Sequence, residues 1–241
     1  MTHPSSGTSI EELRPAHHHP AGRGMGTDDT LLLRAEGLFH QLGSRWLWRD
    51  LELELQPGDR LALVAPSGAG KTLLLRSLAL LDPLQQGRLW LRGRTPVAWG
   101  LPVWRSCLIY LAQRPVLFPG TVRDNLQAVF QLAVHQQRRW RPDILEGWLE
   151  TLGRDRAFLD QDAERLSGGE GQLLNLLRAL QLEPDILLLD EPTASLDPAS
   201  TEAVESLLAG WLEGGDRACV ITSHDGDQLR RFGNRRLNLT V

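Results

Sequence analysis

Residues 61–73, LALVAPSGAGKTL, constrain the fold of this chain more than any other stretch. An apolar run, Leu61 to Val64, enters a turn of small residues, Ala65-Pro66-Ser67-Gly68-Ala69-Gly70, and Lys71 and Thr72 then open a second apolar segment. This order predicts a buried strand, a phosphate-binding loop and a helix. In such a loop the backbone N–H groups converge on a phosphate, and the helix N-terminus adds partial positive charge. Lys71 is placed to reach β- and γ-phosphates, and Thr72 to put its hydroxyl on Mg²⁺. Composition sharpens the point, because Lys71 is the only lysine among 26 lysine-plus-arginine side chains. A compact ammonium is retained where a planar guanidinium would not fit inside a loop wrapped round a phosphate.

With 241 residues, 41% of them hydrophobic, the chain can bury a large core as one domain or two closely joined ones. A net charge of −4 without a basic block argues against binding a nucleic-acid backbone. The longest apolar stretches fall short of the ~20 residues a membrane span needs, so direct insertion into a bilayer is not expected. Cys107 and Cys219 sit in apolar strand-like runs and read as core residues of a reduced compartment. Residues 1–29 are rich in Pro, Gly, Ser, Thr and His, without apolar periodicity or a secretory h-region, and read as a disordered tail. His17-His18-His19 reads as part of that solvated tail, with metal binding the other reading. Met25 offers a second translation start that would leave the rest intact.

From Leu31 the pattern turns β-like: residues 31–40, the alternating Leu51 to Leu55, 87–93 and 107–112 all read as strands. The helix after the phosphate loop is expected over 72–81, apolar on nearly every side and buried against a sheet. Residues 121–165 read as helical, with Thr121 and Asp124 as an N-cap pair, Pro142 at a first helical position and Gly153 as a stop.

A second decisive stretch is LSGGEGQLLNLLRALQLEPDILLLDEPTASLDP, 166–198. Ser167, Gly168 and Gly169 open a helix striped with Leu173, Leu174, Leu176, Leu177 and Leu180. By spacing alone they read equally as a cap or as a second anion site. Ile186 to Leu189 is a fully apolar run that delivers Asp190 and Glu191 to the C-terminal edge of a sheet, where ligands bind in open α/β folds. Asp190 is placed to hold Mg²⁺, and Glu191 to deprotonate the water that attacks a γ-phosphate.

Six motifs in order resemble those of the ABC (ATP-binding cassette) ATPases over roughly residues 31–241. Ala65 to Thr72 resembles the Walker A loop, Gln113 in YLAQRPVLFPG the Q-loop glutamine, and Leu166 to Glu170 the signature. Ile186 to Glu191 resembles Walker B, followed by Ser195-Leu196-Asp197 as the D-loop. A last strand, Ala218 to Ser223, ends at His224, which resembles the switch histidine.

The resemblance implies an α/β P-loop NTPase with a RecA-like core sheet, an N-terminal antiparallel β-subdomain and an inserted α-helical subdomain. Residues 30–241 would form the nucleotide-binding domain, with helices at about 114–183. ATP would contact Ala65, Pro66, Ser67, Gly68, Ala69, Gly70, Lys71 and Thr72, and Mg²⁺ would contact Thr72, Gln113 and Asp190. Glu191, His224 and Gln113 would be catalytic. Ser167, Gly168 and Gly169 would reach the nucleotide of a second copy in a head-to-tail dimer, with Asp197 at the interface. The family also implies a separate membrane permease as partner and a place on the cytoplasmic face of the inner membrane. Within it, the chain most resembles small cassettes for iron or other metal export, with phosphate import next and soluble iron–sulfur assembly ATPases a further reading.

Three departures stand out. Ala65 replaces a glycine, Gly171 and Leu173 stand where glutamine and arginine are usual, and the adenine-stacking aromatic falls near Leu42. Phe39, Trp46 and Trp48 are the neighbouring aromatics, each either a substitute for it or core.

Overall fold

The computed structural model describes residues 31–239. The expectations for residues 1–29, including His17-His18-His19 and a start at Met25, lie outside the described residues.

Two sheets organise the chain. The first is antiparallel, in the order β2-β1-β4, built from β1 (Leu33–Leu42), β2 (Arg45–Leu55) and, after β3 (Arg60–Val64) and helix α1 (Lys71–Leu78), β4 (Gln86–Leu91). Two short helices, α2 (Pro96–Trp99) and α3 (Leu101–Cys107), lead to β5 (Leu108–Leu111). Then come α4 (Val122–Ala128), α5 (Pro142–Thr151), α6 (Gly168–Leu180) and β6 (Ile186–Asp190). The chain closes through α7 (Pro198–Glu213), β7 (Ala218–Thr222), α8 (Gly226–Phe232) and β8 (Arg235–Asn238). The second sheet runs β5-β6-β7-β3-β8 and is parallel throughout.

The unbroken apolar runs of the parallel strands are explained by burial on both faces. Leu61, Leu63, Ile186, Leu188, Ala218 and Val220 point to a core shared with the antiparallel sheet and α1. Their alternates Ala62, Leu187, Leu189, Cys219 and Ile221 join a second core with α4 to α8. Each strand therefore serves two cores at a period of two residues.

Several boundaries differ from the sequence reading for identifiable reasons. Helix α1 ends at Leu78, not residue 81, because Leu80 turns left-handed (φ 54) and the Leu81 N–H closes back on the Arg76 carbonyl at 2.9 Å. The fully buried Trp104 donates its indole N–H to the Leu78 carbonyl at 3.0 Å, capping the same end. Strand β4 stops at Leu91, since Arg92 (φ 47) and Gly93 (φ 70) turn the chain. Strand β2 begins six residues before the alternating segment. Cys107 is corrected: it ends α3 rather than lying in a strand, although burial still pushes its thiol up to about 11. Cys219 lies in β7 as expected, its thiol pushed up to about 12 by burial.

The Thr121–Asp124 pair forms a reciprocal capping box, and Pro142 takes the first turn of α5. Helix α4 is shorter than its apolar pattern, giving way at Val129 to single 3₁₀ turns. Its entry is held by Asn125, which is fully buried. The amide donates to the Phe118 and Thr121 carbonyls (2.8 and 3.0 Å) and accepts the Phe118 N–H at 2.8 Å. Asn125→Ala leaves the Phe118 N–H and carbonyl without their partner, while the Thr121 carbonyl keeps the residue-125 N–H at 3.1 Å, and is expected to cost about 2 kcal/mol, read from the urea midpoint at unchanged slope.

Candidate active site

Strand β3 and helix α1 are joined by the turn 65–70. Gly68 (φ 73) and Gly70 (φ 92) adopt left-handed conformations, and a Cβ at Gly70 would lie 2.6 Å from the Trp48 ring. Backbone demand and the tryptophan behind the loop both require glycine at 70. Trp48 is buried and serves as that backing, which assigns it to the core rather than to a base. Ala65 keeps φ negative, so alanine replaces glycine there without strain. Pro66, Ser67 and Gly68 form the exposed tip, while Ala69 is buried. The Lys71 ammonium donates to the carbonyls of Ala65 (2.9 Å) and Pro66 (3.4 Å), which hold it at the mouth of the loop.

The C-terminal ends of β5, β6 and β7 bring the remaining groups alongside. Asp190, the last residue of β6, is buried and accepts from three hydroxyls. These are Thr72 Oγ1 and Tyr110 Oη on its Oδ2 (2.7 and 3.0 Å) and Thr222 Oγ1 on its Oδ1 (2.9 Å). Burial, then the Asp190 charge, pushes the Tyr110 phenol above its ordinary range and keeps it a donor. Carboxylate, threonine and surrounding hydroxyls form an all-oxygen donor set, the chemistry a hard divalent cation such as Mg²⁺ takes.

Glu191, also buried, is bracketed: Gln113 Nε2 donates to its Oε2 at 2.6 Å, and His224 Nε2 lies 2.6 Å from its Oε1. Gln113 is thus brought to Glu191, while Thr72 is brought to Asp190. Glu191 itself is left-handed (φ 51), a conformation that costs a non-glycine residue ~1–2 kcal/mol. Its N–H donates to Thr222 Oγ1 at 3.0 Å, and its carbonyl accepts from Gln172 Nε2 at 3.4 Å. Side chains on both sides hold the strained residue where β6 turns away.

Ser167 caps α6 in a capping box with Glu170, the cap reading of this segment. Ser167 and Gly168 are exposed, and Gly168 and Gly169 pack on Ser195 and Leu196 of the same chain. A Cβ at Gly169 would meet the Ser195 carbonyl at 2.9 Å, so close approach of two loops accounts for the glycine. Asp197 is exposed and caps α7 through the N–H and hydroxyl of Ser200 (3.0 and 2.6 Å). Those bonds hold its carboxyl below the usual range.

The departures have local explanations. Gly171 lies 3.5 Å, measured from a would-be Cβ, from Pro115 and Leu117, and gives the segment after Gln113 a seat on α6. Leu173 is buried core. Leu42 is 67% exposed at the β1–β2 hairpin, while Phe39 and Trp46 meet edge to face and Arg49 lies 4.7 Å over the Trp46 ring.

Tyr110, Thr222 and Gln172 escape the sequence reading. Tyr110 and Thr222 lie inside apolar strand runs, where polarity at the end nearest the site is the available signal. Gln172 sits beside the leucine stripe of α6, a polar residue at a position facing the core.

A parallel sheet that carries a phosphate-loop lysine, a helix-opening threonine and two carboxylates to one edge defines a P-loop nucleotide triphosphatase. The pattern of the ABC transporter family matches residues 48–194, and the chain belongs to that family as an ATPase, an ABC transporter ATP-binding subunit. It is similar to the phosphate import ATP-binding protein PstB of Mycobacterium intracellulare, at 36% identity over 86% of this chain and 75% of that protein. It is also similar to the "Probable iron export ATP-binding protein FetA" of Escherichia coli K12, at 30% identity over 84% and 88%. The solved structure of cbiO1 from Clostridium perfringens, part of the ABC transporter complex cbiONQ, shares the fold. Its TM-score is 0.73 at 20% identity, covering 88% of this chain and 85% of that one. Among the described residues no helix is long and apolar enough to cross a membrane.

Proposed function

We propose that residues 30–241 act as one nucleotide-binding domain, with a helical subdomain at about 114–183, that hydrolyses MgATP as a head-to-tail dimer beneath a separate permease. The observation that carries the catalytic reading is the bracketing of Glu191 by Gln113 and His224, beside the Thr72–Asp190 pair. Lys71 and the turn 65–72, through the N–H groups of its non-proline residues, bind the triphosphate. Glu191 takes a proton from the attacking water, Gln113 orients that water, and His224 holds the carboxylate and reaches the γ-phosphate. Thr72 and Asp190, with Gln113 nearby, are the residues that would hold Mg²⁺, which supplies charge neutralisation of the phosphates. Exposed Ser167 and Gly168, with Gly169 behind them, are open to the γ-phosphate bound by a second copy, and exposed Asp197 lies at the same interface. One chain carries one loop and one signature, so two copies complete two sites.

Exposed Val116 and Phe118, with Leu117 and Pro119, form the surface offered to the permease; Arg178 supports it, bonding the Val116 carbonyl at 2.9 Å. The protein then sits on the cytoplasmic face of the inner membrane. Export of a metal ion such as iron is the substrate reading. Import of phosphate is the second, favoured by the similarity to a phosphate-import subunit. The test is affinity purification from detergent-solubilised native membranes, with partners identified by mass. A stoichiometric multi-pass protein is expected, and ATPase of that complex in vesicles should respond to iron for the first reading and to phosphate for the second. Recovery only with soluble partners would overturn the permease reading in favour of a soluble-complex ATPase.

A further inference from the structure

Gln172 lies in the second turn of α6 and is 5% exposed. Its primary amide meets three different loops. Nε2 donates to the carbonyl of Gln113 at 3.2 Å and to that of Glu191 at 3.4 Å, and Oε1 accepts the N–H of Ser195 at 3.0 Å. The orientation of the amide is settled by its partners, because the reverse would set its NH₂ against an N–H and its oxygen against two carbonyls.

No other uncharged side chain of this length offers two donors and an acceptor from one planar group. Asparagine is one methylene shorter, methionine fills the volume without polar atoms, and a carboxylate would repel both carbonyls. The three groups joined are the backbone of the residue bracketing Glu191, the strained backbone of Glu191 itself, and the loop on which Gly168 and Gly169 pack. The signature end of α6 and the carboxylate at the end of β6 are therefore tied through one side chain.

We propose that Gln172 is a positioning residue for hydrolysis, locking the loops of Gln113, Glu191 and Ser195 to the first turns of α6. The inference rests on the catalytic reading of Glu191 and adds that the carboxylate's placement depends on where α6 sits. A signature held by a second copy's nucleotide thereby sets the catalytic pair of its own chain. Gln172 touches neither substrate nor reacting atoms; it acts through Glu191 and Gln113.

The test uses the full chain and compares Gln172→Glu and Gln172→Met with the parent protein. Nucleotide affinity, thermal midpoint, and kcat and KM for ATP are measured from pH 8.5 to 5.5. Near pH 8 both variants are expected to lose roughly 10- to 100-fold in kcat, with nucleotide affinity held within about twofold. On acidification the introduced carboxyl, its pKa raised by burial against two carbonyls, gains a proton and becomes donor and acceptor together. The kcat ratio of Gln172→Glu to parent should then rise by about tenfold as the pH falls. The ratio for Gln172→Met should stay flat. A merely structural role would not produce that difference, and should Gln172→Met fail to fold, the pH-dependent ratio decides by itself.

Parent-like kcat in both variants, or a loss of the same size at every pH accompanied by lost nucleotide affinity, overturns the proposal. The parent and Glu191→Gln are run alongside. An inactive parent, or an active Glu191→Gln, brings down the catalytic reading and this inference with it. Failure of the Gln172 pattern with an active parent and a silent Glu191→Gln removes this inference alone.

Discussion

Glu191→Gln is expected to lower ATP turnover by at least ~10²–10³-fold, the scale of a lost general base. It should leave nucleotide binding intact and favour an ATP-bound dimer. The substitution is nearly isosteric, and the buried position at the end of β6 is retained. What disappears is the carboxylate charge, one oxygen of which accepts from Gln113 while the other lies against His224, each at 2.6 Å. A neutral amide takes no proton from water, so the triphosphate persists, and whatever state it favours accumulates. Phosphate release measures the first effect. Light scattering with and without MgATP measures the second: a shift from one copy to two is expected only with nucleotide. Undiminished hydrolysis in this variant would overturn the assignment of Glu191.

Lys71→Ala should weaken nucleotide binding by roughly 100-fold or more, as expected when charge-assisted contacts to several phosphate oxygens are lost together. In the protein alone the ammonium is held by two carbonyls of its own loop, so the side chain is already poised at the loop mouth. Lys71→Arg is expected to recover little of the loss despite keeping the charge. The guanidinium is wider and planar, and it does not reproduce the compact contacts that the ammonium makes with the Ala65 and Pro66 carbonyls at the loop mouth. Titration calorimetry with ATP separates the cases. Parent-like affinity in Lys71→Arg would show that charge alone, not shape, selects lysine at this position.

Local sequence determined the parts of this protein in which one residue type has one physical solution. The positive φ of the phosphate-loop glycines is set by their own backbone, and the Thr121 and Ser167 capping boxes and Pro142 at the head of α5 depend on residues within a helical turn. The all-apolar Ile186 to Leu189 run announced a strand buried on both faces, and Asp190 and Glu191 marked its exit. The order of such motifs along the chain was enough to place it in a family and to nominate most of the site.

Tertiary structure alone decided how those pieces meet. The end of α1 at Leu78 depends on Trp104, 26 residues away, and the thiol of Cys107 fell on a helix that the neighbouring apolar run concealed. The departure at Ala65 proved harmless only once its φ was seen, and Trp48 was assigned to the core by its contact with Gly70. Nothing local to Tyr110, Thr222 or Gln172 shows that they converge on Asp190 and Glu191 from strands and a helix far apart in sequence. Backbone propensity acts over a few residues, whereas a buried carboxylate must find its donors wherever the sheet order β5-β6-β7 places them. The motifs are local and the partners that hold them are not.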